Sequence, residues 1–160
     1  MRYRFGLMIA ALWWGSLTAL GFVIVPMLFT YLPNPAAAGQ MAAKLFTAQT
    51  WLSVGCAMFL VLIYNQKEAI AQDIRAQAAI KYVVTGLLLA VLVEFGLSPH
   101  IVSARADGGN LKLLHGVGSA LYFGQWLCAG FALWRLSGAE TRGVQRGEDE
   151  GAEDAEKIKR

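Results

Sequence analysis

Charge is scarce in this sequence, and its scarcity excludes most soluble folds. Asp, Glu, Lys and Arg make up 16% of the 160 residues, where a soluble domain carries about 25%. Hydrophobic types make up 56%, and the mean hydropathy is +0.46. The charges fall between long apolar blocks or crowd toward the C-terminus, the pattern of a polytopic membrane protein. Cysteine is nearly absent as well. Cys56 and Cys128 stand far apart inside apolar runs with no CxxC partner, so they read as small apolar core residues. The formal charge of +3 comes from Lys and Arg flanking apolar blocks. No basic stripe is interleaved with exposed aromatics, which argues against a nucleic-acid partner.

Reaction chemistry is missing too. The chain has no nucleophile elbow, phosphate loop, HExxH or paired-carboxylate constellation, so no enzyme and no cofactor is expected. Gly116 and Gly118 form a lone Gly-x-Gly without a third glycine or a preceding strand. That spacing suits helix packing, not a dinucleotide.

What is present is four apolar blocks, over residues 5–31, 36–64, 79–98 and 111–136. The first is longer than the roughly 7–15 residues of a signal-peptide core and is expected to stay in the membrane. Pro26 should kink its last turns, and Pro33 and Pro35 should end it. The polar stretch NQKEAIAQDIRAQAAIK should form helical extensions meeting in a short turn, Pro99 should stop the third block, and DGGN at 107–110 is turn chemistry. The last stretch, 137–160, has almost no large apolar residue and cannot offset its ordering entropy. The expected fold is all-α, a four-helix transmembrane bundle over 1–136 with a disordered C-terminal tail. Arg2, Arg4, Lys67, Arg75, Lys81, Arg135, Arg142 and Arg146 lie toward one side, against Lys44, Arg105 and Lys112 on the other. Both termini are therefore expected in the cytoplasm.

In lipid, helices associate through small residues and polar contacts. Gly86, Ala90 and Glu94 share a face of the third helix at i, i+4 spacing, and Gly116, Ala120 and Gly124 share one on the fourth. The latter offers a surface for a homo-oligomer. Beside it run His115, Ser119 and Tyr122, with Gln125 nearby. If Pro99 ends the third helix, Glu94 lies roughly 6–8 Å below the outer boundary, a depth that Lys44, His100 and His115 can share. A Lys44–Glu94 or Glu94–His115 pair would be the economical arrangement, because an isolated charge there is costly. The expected small-solute or ion pocket is Glu94, His115, Lys44, Ser119 and Tyr122. The same residues also fit purely structural contacts, and two histidines with one glutamate leave a metal open.

The stretch WWGSLTALGFVIVPMLFTYLPNPAAAGQMAAKLF resembles the start of a bacterial membrane family of the domain-of-unknown-function 4149 type, which includes eukaryotic transmembrane protein 205. The matching positions are Trp14, Gly15, Pro26, Leu28, Phe29, Leu32, Pro33, Ala38, Gly39, Leu45 and Phe46. In the second half they are Pro99, Leu114 and His115. His100 departs from the family pattern, where a basic residue such as arginine is expected. The resemblance implies a four-helix protein of the bacterial inner membrane without an enzyme activity. The eukaryotic relative's association with tolerance to platinum drugs implies transport or sequestration. The leading expectation is non-enzymatic small-solute or metal-ion handling. Its alternatives are a haem- or metal-binding redox protein using His115 and His100, and a membrane scaffold or assembly factor using helix faces and tail.

Overall fold

Leu and Ala are the commonest residues of the apolar blocks and favour helix until a turn sequence intervenes. In a computed structural model of the chain each block becomes a helical rod. The structure describes residues 2–64, 74–107 and 109–159, with side chains at 2–3, 74–77, 102, 105–107 and 139–159 left aside. The connection expected to be a short turn after Tyr64 lies outside the described residues. The first rod joins α1 (Arg2–Ala19), a π-helical turn (Leu20–Ile24) and α2 (Val25–Tyr31). The second is α3 (Pro35–Tyr64). The third joins α4 (Ile74–Val91), a second π-helical turn (Leu92–Leu97) and α5 (Ser98–Asp107). The fourth is α6 (Leu111–Lys159). The chain is an all-α bundle, with no strand among the described residues.

Each π turn has the same cause. The Val25 N–H bonds to the Leu20 carbonyl, and the Ser98 N–H bonds to the Val93 carbonyl, both five residues back. The next residue in each case is a proline, Pro26 or Pro99. Proline has no N–H to give, and its ring would strike the carbonyl four residues back. Widening the preceding turn moves that carbonyl aside, and the rod runs on. Pro99 therefore does not end the third rod, which continues to Asp107. His100 sits exposed on a helix, where the sequence reading expects a loop. Pro26 likewise gives a π turn within a continuous rod.

The two short connections lie at one end of the bundle, the turn end. Asn34 Oδ1 accepts the Ala36 N–H at 2.8 Å and Asn110 Oδ1 accepts the Leu113 N–H at 3.1 Å, so each caps the helix that follows. Gly109 closes the third rod by donating its N–H to the Ala104 carbonyl at 2.9 Å.

Antiparallel neighbours pack in a ring: first on second, second on third, third on fourth, fourth on first. The apolar core lies toward the other, terminal end. Trp13, Leu17, Ala57, Leu60, Val83, Ala132 and Leu136 are buried there. Small residues let the backbones close up. A Cβ on Gly86 would stand 2.9 Å from Trp13 Cη2 and 3.2 Å from Cys128 Cβ.

Three helices are long and apolar enough to cross a membrane: Arg4–Tyr31, Pro35–Tyr64 and Ala78–Ile101. The sequence reading expects four spans. The fourth rod is diluted by glycines and by His115, Ser119 and Gln125, yet it packs on both the third and the first. Leu136 is the last buried residue among the described side chains, which end at Gly138. The tail's backbone follows the helix line to Lys159, as a stretch rich in Ala, Glu, Lys and Arg can do locally.

Candidate functional site

Leu20, Ala90 and Gln125 are the last buried residues of the first, third and fourth rods toward the turn end. Beyond them, among the described residues, none on these rods is buried, and only the second rod keeps Ala38 and Ala42 covered. The bundle is closed at the terminal end and open at the turn end. Both π turns begin at this boundary.

Glu94 lies just on the open side, within the second π turn. Thr47 Oγ1 donates to Glu94 Oε1 at 2.9 Å across the seam between the second and third rods. The span continues to Ile101, so the carboxylate is roughly 10 Å inside its end, deeper than a helix stopping at Pro99 would place it. The two expected pairings do not form. Lys44 and His115 are both exposed, and Glu94 has a neutral hydroxyl as its hydrogen-bond partner. His115 stands seven positions before Tyr122, about 10 Å nearer the turn end, and its side chain is exposed. Ser119 is exposed as well.

Tyr122 points inward. Its hydroxyl donates to the Leu17 carbonyl at 2.8 Å, and its ring meets Phe46 edge-on with centroids 5.1 Å apart. Gly21, in the first π turn, makes room for it: a Cβ there would lie 2.7 Å from Tyr122 Cε1. Trp126 Nε1 donates to Thr18 Oγ1 at 2.9 Å.

Deeper still lies a floor that the sequence reading misses. Gln49 Nε2 donates to Ser16 Oγ at 3.0 Å, and Gln125 Nε2 donates to Ser53 Oγ at 3.0 Å. Ser53 in turn donates to the Gln49 carbonyl at 2.8 Å. Ser53 is 0% exposed, Gln125 4% and Gln49 7%. A buried amide left unmatched costs about 1–3 kcal/mol. These bonds therefore tie the first, second and fourth rods at one level. Only Gln125 draws notice in the sequence. The available signal was the polar trio Gln49, Thr50 and Ser53 inside a long apolar span.

The packing residues divide. Gly86 and Ala90 are buried between rods, and a Cβ on Gly124 would touch Leu89 at 3.3 Å. Gly116 and Ala120 face outward. They line a shallow surface groove of about 510 Å³ with Asn110, Lys112, Leu113 and Val117, and nothing lies within 4 Å of a Cβ on Gly116.

No three of His, Cys, Asp or Glu converge among the described residues. Cys56 lies in the terminal core, Cys128 lies beside Gly86, and His100 and His115 are both exposed. The assembled chemistry is one carboxylate with a hydroxyl, above a carboxamide–hydroxyl floor.

The model of a family described as a domain of unknown function (DUF4149) matches residues 8–110, which takes in the first three rods and the turn after them. No curated protein and no solved structure matches the chain.

Proposed function

Given that the chain belongs to the DUF4149 family, we propose that it is a non-enzymatic, multi-pass membrane protein that handles a small ion or solute at Glu94. One observation carries this reading: an acid within an apolar span has a neutral hydroxyl as its hydrogen-bond partner and no cation beside it among the described residues. A bare carboxylate in a low-dielectric setting is costly. It is relieved by a proton or by a positively charged ligand. Tyr122 forms a wall of the site in this reading, and Lys44, His115 and Ser119 stand at its rim.

The bias of Lys and Arg toward the terminal end supports cytoplasmic termini and a turn end facing outward. Residence in a bacterial inner membrane and kinship with transmembrane protein 205 rest on the motifs around Trp14, Pro26 and Phe46. The outward groove over Gly116 and Ala120 is the place for a second copy of the chain.

The test is covalent labelling of the purified protein with dicyclohexylcarbodiimide, which attacks carboxyl groups in apolar surroundings. Mass spectrometry should find the adduct on the peptide carrying Glu94, and Glu94→Gln should abolish it. An unmodified Glu94 in folded protein would refute the reading.

A further inference from the structure

We infer that the Glu94 site takes a monovalent cation, the proton included, and that it loads and empties only through the turn end of the bundle. The inference rests on the reading of Glu94 proposed above and adds the class of ligand and the route.

Charge balance gives the class. Glu94 supplies one negative charge, and Thr47 adds a neutral oxygen. The floor adds carboxamides and hydroxyls without charge. Glu94 is the one carboxylate among the described side chains. Among the described side chains, the charged and titratable groups nearer the mouth are Tyr31 on the first rod, Lys44 on the second, His100 on the third and Lys112 and His115 on the fourth, all exposed. None of them adds negative charge. A monovalent cation neutralises this site, whereas a divalent ion would leave a net positive charge inside an apolar span.

Packing gives the route. On the turn side of Glu94 no described residue of the first, third or fourth rod is buried. On the other side the buried residues with polar side chains form the floor, Gln49, Thr50, Ser53 and Gln125, and beyond them the aromatic residues Trp13 and Tyr64 bring one buried polar atom each. From Ser53 to Tyr64 the second rod runs for about 16 Å through an apolar plug of Trp13, Ala57, Leu60, Val83, Ala132 and Leu136. Gly86 lets the Trp13 indole close that plug against Cys128. A cation reaching Glu94 therefore meets only partly buried residues on one side and close-packed hydrocarbon on the other.

Two measurements on the full chain test this. The first is the rate of carbodiimide labelling at Glu94 in Na⁺, K⁺, Li⁺ or NH₄⁺, against Mg²⁺ or Ca²⁺ at equal ionic strength. Slowing by about tenfold or more in a monovalent salt supports the inference. Labelling that no salt slows overturns it for every cation but the proton, and a fall with rising pH adds nothing, because a carbodiimide attacks only the protonated carboxyl. Protection by a divalent ion alone overturns it. Absence of any adduct instead refutes the functional reading beneath it.

The second measurement uses a membrane-impermeant thiosulfonate on sealed vesicles of both orientations. Val93→Cys, in a Cys56→Ser/Cys128→Ser background, should react from the turn side only, with Leu97→Cys as the second reporter if the first does not fold. Native Cys56, in a Cys128→Ser chain, lies in the plug and should react from neither side. Reaction of Cys56 from the terminal side as fast as Val93→Cys from the turn side would overturn the route.

Discussion

Adding a single methyl group at residue 86 tests whether the terminal half is as tightly closed as its geometry states. A Cβ on Gly86 would sit 2.9 Å from Trp13 Cη2 and 3.2 Å from both Trp13 Cζ2 and Cys128 Cβ. Trp13 is 0% exposed, so its ring has no free space to swing into. Overpacking of this kind costs about 1–3 kcal/mol. Replacing a mid-helix glycine returns about 1 kcal/mol of propensity. Gly86→Ala should therefore destabilise the fold by up to about 2 kcal/mol. Gly116→Ala is the matched control, because its Cβ meets nothing within 4 Å, and it should be neutral or slightly stabilising. The assay is reversible denaturation in mixed dodecyl maltoside and dodecyl sulfate micelles, followed by tryptophan fluorescence and circular dichroism. Trp13→Phe should couple with Gly86→Ala, since the smaller ring relieves the clash. The reasoning fails if Gly86→Ala is as stable as Gly116→Ala, or if the double mutant is additive within about 0.5 kcal/mol.

Tyr122→Phe removes the hydroxyl that reaches Leu17 and should cost about 0.5–1.5 kcal/mol in the same denaturation assay, while Gly21→Ala should cost at least as much by displacing the ring. Gln125→Ala strips the floor of its bond to Ser53; a buried hydroxyl losing a partner predicts a loss of about 1–3 kcal/mol. Thr47→Val should change the carbodiimide labelling rate of Glu94, while Thr47→Ser, which keeps the hydroxyl, should restore the wild-type rate. Deleting 139–160 should leave unfolding within about 0.5 kcal/mol of wild type, as that stretch has almost no large apolar residue to bury.

The inward position of Glu94 is legible in the sequence because Gly86, Ala90 and Glu94 follow one another at four-residue steps on one rod. The same rule misleads on the fourth rod. Each four-residue step overshoots a full turn by about 40°, so a stripe that starts at Gly116 has swung by about 120° at Cys128. Gly124 and Cys128 meet the third rod, and Gly116 and Ala120 look away from it. The partners proposed for Glu94 fail for another reason. Lys44 and His115 share its depth only if Pro99 ends the third rod, and depth says nothing of which way a side chain faces: both are exposed. Pro99 looks like a stop because proline breaks a regular α-helix. Its absorption into a π turn depends on whether the preceding residues can widen, and periodicity does not encode that. Ser53 and Gln49 are lost among apolar neighbours because their value lies in contacts between rods.

The two short turns also restrict how the open half can move. Tyr31 and Pro35 are joined through Leu32–Asn34, and Asp107 and Leu111 are joined by a stretch of the same length. Four peptide steps reach about 14 Å at full extension, so each turn is a short leash between the rods it connects. The first and second rods cannot part widely at that end, and neither can the third and fourth. Any widening has to come between the two hairpins, along the seams joining the second rod to the third and the fourth to the first. Thr47–Glu94 fastens one of these seams, and Tyr122–Leu17 with Trp126–Thr18 fastens the other. The Thr47–Glu94 bond is thus a latch between the hairpins, and in the proposed reading a ligand at Glu94 either displaces Thr47 from Oε1 or takes the second carboxylate oxygen and leaves the latch shut.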